Sequence, residues 1–202
     1  MSSRVMLPRF GAACGIVFPI AMFVAVGDGN HFAPWRAVTA TWALVLALPF
    51  LSYLASLLRA AEAEGGWLST TALVAGVTGI VLKLGSHAPE LAIHRERLAK
   101  GTALYRALDN TAGAATLASL YPLAICCAAV AFVSLRARVL PRWLGVFTAL
   151  TAAALAVNAA FVFASFVPAF LLFLVWTLAT SIVLARPLAR SAAVRYASAV
   201  GD

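Results

Sequence analysis

Six blocks of predominantly apolar residues divide this chain, at about 10–27, 37–58, 67–85, 109–134, 143–163 and 166–185. Each is close to the ~20 residues that a helix rising 1.5 Å per residue needs to cross roughly 30 Å of hydrocarbon. Of the 202 residues, 63% are hydrophobic and 11% charged, whereas a soluble domain has about 45–50% and about 25%. No soluble fold of this size hides so much apolar surface. The expected fold is all-α: a polytopic membrane bundle of six transmembrane helices, a single domain over 1–202, because no linker is long or polar enough to separate two.

The formal charge of +8 would point to nucleic acid in a soluble protein. Here the basic residues flank the apolar blocks, where they fix orientation and grip anionic headgroups, so the expected partners are membrane lipids and not nucleic acid. Cys14, Cys126 and Cys127 fall inside apolar blocks and read as small hydrophobes. Arg4 and Arg9 precede the first block as in a secretory signal, but five more spans follow, so the segment reads as a retained signal-anchor.

With the N-terminus inside, the cytoplasmic segments hold Arg4, Arg9, Arg59, Arg136, Arg138, Arg142, Arg186, Arg190 and Arg195. The outer segments hold Arg36, Lys83, Arg95, Arg97, Lys100 and Arg106, nearly all around the third connection. The bias places both termini in the cytoplasm of a multi-pass cell-membrane protein. Trp35, Trp67, Trp143 and Tyr105 sit near span ends, where amphipathic rings favour the headgroup layer. Gly11 and Gly15 form a GxxxG, and the fourth and fifth spans are rich in Ala, so close helix contacts are expected. Pro19, Pro49, Pro122 and Pro168 are read as interior prolines that kink their spans.

Residues 86–108 are too long for a tight turn and too charged to span. Pro89 suits a first helical turn, and Leu91, Ile93, Leu98 and Leu104 alternate with charges, which predicts an amphipathic surface helix between the third and fourth spans. Such a helix would act as a lid, or simply connect.

No nucleotide loop, CxxC, HExxH or GxSxG occurs, and no cofactor or metal is expected. The remaining chemistry gathers on the outer side: His31, His87 and His94 with Asp28, Glu90, Glu96 and Asp109, while Glu62, Glu64 and Asp202 are cytoplasmic. In the surface helix His87, Glu90 and His94 would share one face, as an acid/base set, as ligands to a metal, or, more commonly, as solvated groups. Asp109, beside Asn110 and four residues after Tyr105, opens the fourth span. A carboxylate there is costly without a partner and faces the bundle interior, Arg106 being the local alternative. The catalytic candidates are therefore Asp109, Glu90, His87 and His94, expected to face one another across a cavity mouth. Trp42, Tyr105, Tyr121, Asn158 and Trp176 are candidates for binding a substrate, against the plainer role of filling space. Thr78, Thr116 and Ser119 would line the same space or bond across helices.

Leu140-Pro141-Arg142-Trp143-Leu144-Gly145 before an Ala-rich span, and Phe170-Leu171-Leu172-Phe173-Leu174-Val175-Trp176 before a basic tail, resemble the C-terminal half of a bacterial family of six-helix membrane proteins classed as a domain of unknown function. Asp109 and the Leu7-Pro8-Arg9-Phe10-Gly11 entry to the first span fit the same pattern. The resemblance implies the architecture and no activity.

Two functional readings follow. One is an enzyme performing acid/base isomerisation or cyclisation of a lipophilic small molecule of isoprenoid, sterol-like or polyketide type, with Asp109 or Glu90 as acid and a histidine as base. The other is a small transporter or an accessory subunit. Homo-oligomerisation is open in either case.

Overall fold

The computed structural model describes residues 3–26, 34–62, 65–161 and 167–185. Among them the chain is all helix: α1 Ser3–Val26, α2 Pro34–Ala61, α3 Trp67–Arg95, α4 Ala103–Ala137, α5 Arg142–Ala160 and α6 Val167–Ala185. Five of these are long and apolar enough to cross a membrane, and α1 adds the shorter apolar stretch Phe10–Ala25. The expected membrane helix bundle is what forms, because a backbone in hydrocarbon must satisfy its own hydrogen bonds.

Each helix packs on its neighbours in the chain, and α6 closes the ring against α1. Small residues set the closest approaches. A side chain at Gly11 would collide with Tyr53 on α2, and one at Gly15 with Phe50 and with Ser181 on α6, so the GxxxG of α1 serves two partners. A second seam joins α3 to α4, where Gly76 lies against Cys126 and Gly79 against Leu123 and Ser119. The centre is filled by aromatic rings: Phe18, Phe50, Phe173 and Trp176 are all buried, with neighbouring ring centroids 5.4–6.4 Å apart. In the Phe170–Trp176 motif, residues three apart place Phe170, Phe173 and Trp176 on the inward face of α6. In Leu140–Gly145, Leu140 is buried, the Pro141 carbonyl accepts the first amides of α5, and Trp143 is exposed.

Two expectations are corrected. Residues 86–108 do not form a separate surface helix, since α3 runs on through Pro89 to Arg95 and α4 starts at Ala103, leaving Glu96–Thr102 as the connection. The carbonyl deprived of its donor by Pro89 belongs to Gly85, an exposed residue with open space beside it, so the helix tolerates the proline. Of the apolar residues of this stretch Ile93 is buried, while Leu91 and Leu104 stay exposed. Pro168 is not interior either. It falls in the first turn of α6, where a missing N–H costs nothing. Pro49 and Pro122 are inside α2 and α4 as expected.

The helices have unequal lengths, and this gives the bundle a step. Helices α5 and α6 have 19 residues each, about 28 Å at 1.5 Å per residue. Helices α3 and α4 have 29 and 35, about 43 and 52 Å by the same rise. From Trp67, exposed at the start of α3, a hydrocarbon layer of roughly 30 Å ends about twenty residues on, near His87. The α3–α4 hairpin projects beyond that level.

At the opposite end, the α2–α3 turn runs through Gly65 and Gly66, both with positive φ. Gly66 offers no side chain to cap α3, and Glu62 does so instead, its two carboxylate oxygens accepting the Leu68 and Ser69 amides at 3.0 Å each. Partial burial pushes the Glu62 carboxyl upward, but these amides, the Ser69 hydroxyl and the Arg59 charge outweigh it, and the net effect is below the usual carboxylate range. A lowered folded-state pKa contributes stability above the unfolded value, lost as pH falls through the folded one. In thermal unfolding of the detergent-solubilised protein, Glu62→Gln should cost about 1 kcal/mol at pH 7, the usual size of an N-terminal cap. The difference should begin to shrink as pH falls below about 4 and be lost at lower pH, once the folded-state carboxyl is protonated.

Candidate functional site

Lys83 is the charged residue that the bundle buries, 7% exposed among the described residues. It lies sixteen residues into α3, about one turn inside the hydrocarbon boundary near His87. Its ammonium donates to the Thr116 hydroxyl on α4 at 3.0 Å and lies 5.8 Å from the centroid of the Phe170 ring on α6. Both partners are buried. A cation there survives only with such company, since hydrocarbon offers no water to solvate it. Ser86, fully buried, turns its hydroxyl back to the Lys83 carbonyl at 2.7 Å, and Ser119 does the same to Thr116 at 2.6 Å.

His87, one turn beyond Lys83 and half-buried, faces α2, its Nδ1 3.4 Å from the Thr41 hydroxyl. That hydroxyl donates its one proton to the Ala37 carbonyl at 2.8 Å. It therefore accepts from His87, which places the proton on Nδ1 and leaves Nε2 as the basic nitrogen. His94 Nδ1 lies 2.7 Å from the Glu90 carbonyl, an acceptor only, so Nδ1 carries the proton there too. His94 is exposed on its own helix.

Seven residues beyond Lys83 is Glu90, and seven before Thr116 is Asp109. Side chains seven apart share a helix face, so the two acids are level with each other on the stripes that carry the Lys83–Thr116 pair. Both are exposed. Glu90 is close enough to attract Lys83 electrostatically. The four expected catalytic residues thus separate into two exposed acids at one level, a histidine on α3 facing α2 and an outlying histidine. Among the described residues no three His, Cys, Asp or Glu side chains come together as a metal site.

The step places this group. Tyr121 on α4 donates to the Ala159 carbonyl at 2.8 Å, which fixes the end of α5 level with Tyr121, below Thr116. Phe170 fixes the start of α6 level with Lys83. From there α3 and α4 continue upward past the ends of α5 and α6, with α2 alongside at Thr41, carrying His87, Glu90 and Asp109. Of the binding candidates, Tyr121 bonds across helices and Trp176 is fully buried, donating to the Thr148 hydroxyl at 2.8 Å. Trp42 is 64% exposed on the outward side of α2, Tyr105 is half-buried on the projecting part of α4, and Asn158 is half-buried near the end of α5. Thr78 is exposed and bonds its own helix at 2.8 Å. Asp28, His31, Glu64, Asp202 and the basic tail with Arg186, Arg190 and Arg195 lie outside the described residues.

In the sequence Lys83 stands at the edge of the outer connection. The signal that locates it is the unbroken helix on both sides, which puts a lysine before the end of a span. Comparison with protein-family models, curated proteins and solved structures finds no match for the chain.

Chemically the group offers a buried cation to hold an oxygen atom, a neutral imidazole to accept a proton and two carboxyls to return one. A buried charge is expensive, and replacing it with an apolar group of similar shape is often neutral or stabilising. Lys83→Met should therefore keep or raise the thermal stability of the purified protein. Thr116→Val, which strips an acceptor from a retained cation, should cost about 1–3 kcal/mol in the same measurement.

Proposed function

We infer that the chain is a membrane-embedded enzyme that isomerises or cyclises a lipophilic small molecule by proton transfer, at the step beside Lys83. The observation that carries the reading is the Lys83 ammonium, buried against Thr116 and Phe170 one turn below a half-buried histidine. Intramembrane ionisable residues mark functional sites by default. The substrate reaches the site from the leaflet at the hairpin end, with its polar oxygen on Lys83. His87 takes a proton from carbon through Nε2, the electron pair moves toward the oxygen held by Lys83, and Glu90 or Asp109 delivers a proton at a second carbon. An isoprenoid, sterol-like or polyketide skeleton suits such an entry. Lipids and this molecule are the partners.

The same proposal places both termini in the cytoplasm, on the count of flanking arginines. Kinship with the six-helix bacterial family belongs to it as well. The alternative, an accessory subunit, draws support from the projecting hairpin, whose Arg95, Arg97, Lys100 and Arg106 are exposed. A transporter draws less, since aromatic rings fill the centre of the bundle.

The test compares lipid extracts from a deletion strain complemented with the wild type, Lys83→Met or His87→Gln. A species of unchanged mass and altered chromatographic retention should depend on the wild type and fall about 100-fold or more in His87→Gln, the usual worth of a general base. Identical extracts from all strains would remove the enzyme and leave the subunit.

A further inference from the structure

Only two of the fifteen basic residues are lysines, Lys83 and Lys100; all the others are arginines. At the flanks of the spans, arginine supplies the charge. The buried position, by contrast, carries a lysine. The difference is chemical: a guanidinium stays protonated, whereas a lysine amine can release its proton and attack a carbonyl carbon.

We propose that Lys83 is a Schiff-base residue, its Nζ condensing with the aldehyde or ketone of a lipophilic molecule held at the step. This rests on the enzyme reading above and names both its substrate class and its covalent chemistry.

The surroundings suit each stage. The Nζ lone pair adds to the carbonyl carbon, and the carbonyl π pair moves to oxygen. A proton passes from nitrogen to that oxygen to give the carbinolamine. Protonation of the hydroxyl then releases water, and the nitrogen lone pair forms the C=N bond, so that amine, carbonyl and the one proton first shed by the ammonium yield iminium and water with no redox change. His87, at i+4 on the same helix, is placed to relay these protons through Nε2. The iminium keeps the positive charge of the ammonium it replaces, and Phe170, with its ring centroid 5.8 Å from Nζ, and the Glu90 carboxylate attract either cation. Thr116, 3.0 Å from Nζ, holds the nitrogen in place. An iminium also makes the neighbouring carbon more acidic, which is what a proton-transfer isomerisation requires.

The experiment incubates the purified full-length protein with dodecanal and sodium borohydride, then reads intact mass and peptide maps. Reductive trapping adds the aldehyde less one oxygen at the reacting amine. Exposed Lys100 serves as the internal standard for adventitious amine chemistry. Lys83 should be trapped at least tenfold faster than Lys100 at neutral pH, and His87→Gln should reduce that ratio. Lys83→Arg should leave Lys100 as the labelled side chain, and the stability of Lys83→Met reports separately whether the bundle tolerates loss of the amine. Trapping at Lys83 no faster than at Lys100 would overturn the Schiff base. If the product in lipid extracts still depends on Lys83 in that case, the proton-transfer reading survives with Lys83 as a cation only. If the product is absent as well, both fall.

Discussion

Hydrocarbon donates and accepts no hydrogen bonds, and the arrangement of this protein follows from that. The backbone satisfies itself within helices. Many side-chain hydroxyls turn back on their own helix, as Thr148, Thr177 and Ser181 do to carbonyls one turn earlier at 2.7–2.9 Å. A hydroxyl that has spent its proton in this way still accepts, and Thr148 uses the remaining lone pair to receive Trp176 from α6. Thr41 does likewise for His87. Lys83 obeys the same rule at greater cost, because its partners must answer a full charge.

Packing divides between two devices. Where α1 meets α2 and α6, and where α3 meets α4, glycines let the helices approach until a single methyl group would collide. Where the ring of helices would leave a hollow, large aromatics from α1, α2 and α6 fill it. The bundle is thus solid through its middle, and its polar chemistry is displaced to the end where α5 and α6 stop and α3 and α4 continue. Site and step have one origin, the unequal lengths of the helices.

Much of this is legible in the residues. Blocks of apolar length locate all six helices, the flanking tryptophans mark their ends, and Gly11 with Gly15 announces a close contact, because each of these signals is local. Pro89 misleads for the opposite reason. Whether a proline ends a helix depends on what surrounds the carbonyl it deprives, and the open space beside Gly85 is a fact of the fold. With the helix taken to restart at Ser86, Lys83 reads as a boundary residue and the stripe of Ile93 and its neighbours as a membrane-facing surface. With the helix continuous, Lys83 and Ile93 are both buried. The pairing of His87 with Thr41, forty-six positions apart, has no local trace at all, and neither has the level alignment of Glu90 with Asp109.

The site depends on where α3 leaves the membrane. Nitroxide labels at Val81 and Leu91, both exposed on α3, would report this by their collision rates with oxygen and with a water-soluble nickel chelate in reconstituted bilayers. The three native cysteines are buried and should not compete for the label. Ten residues separate the two sites, about 15 Å along the helix. The label at Val81 should relax with oxygen and that at Leu91 with nickel, which puts Lys83 just inside the boundary and the hairpin in water. Oxygen dominance at both positions would place the hairpin within the hydrocarbon, and the step with its site would have to be abandoned.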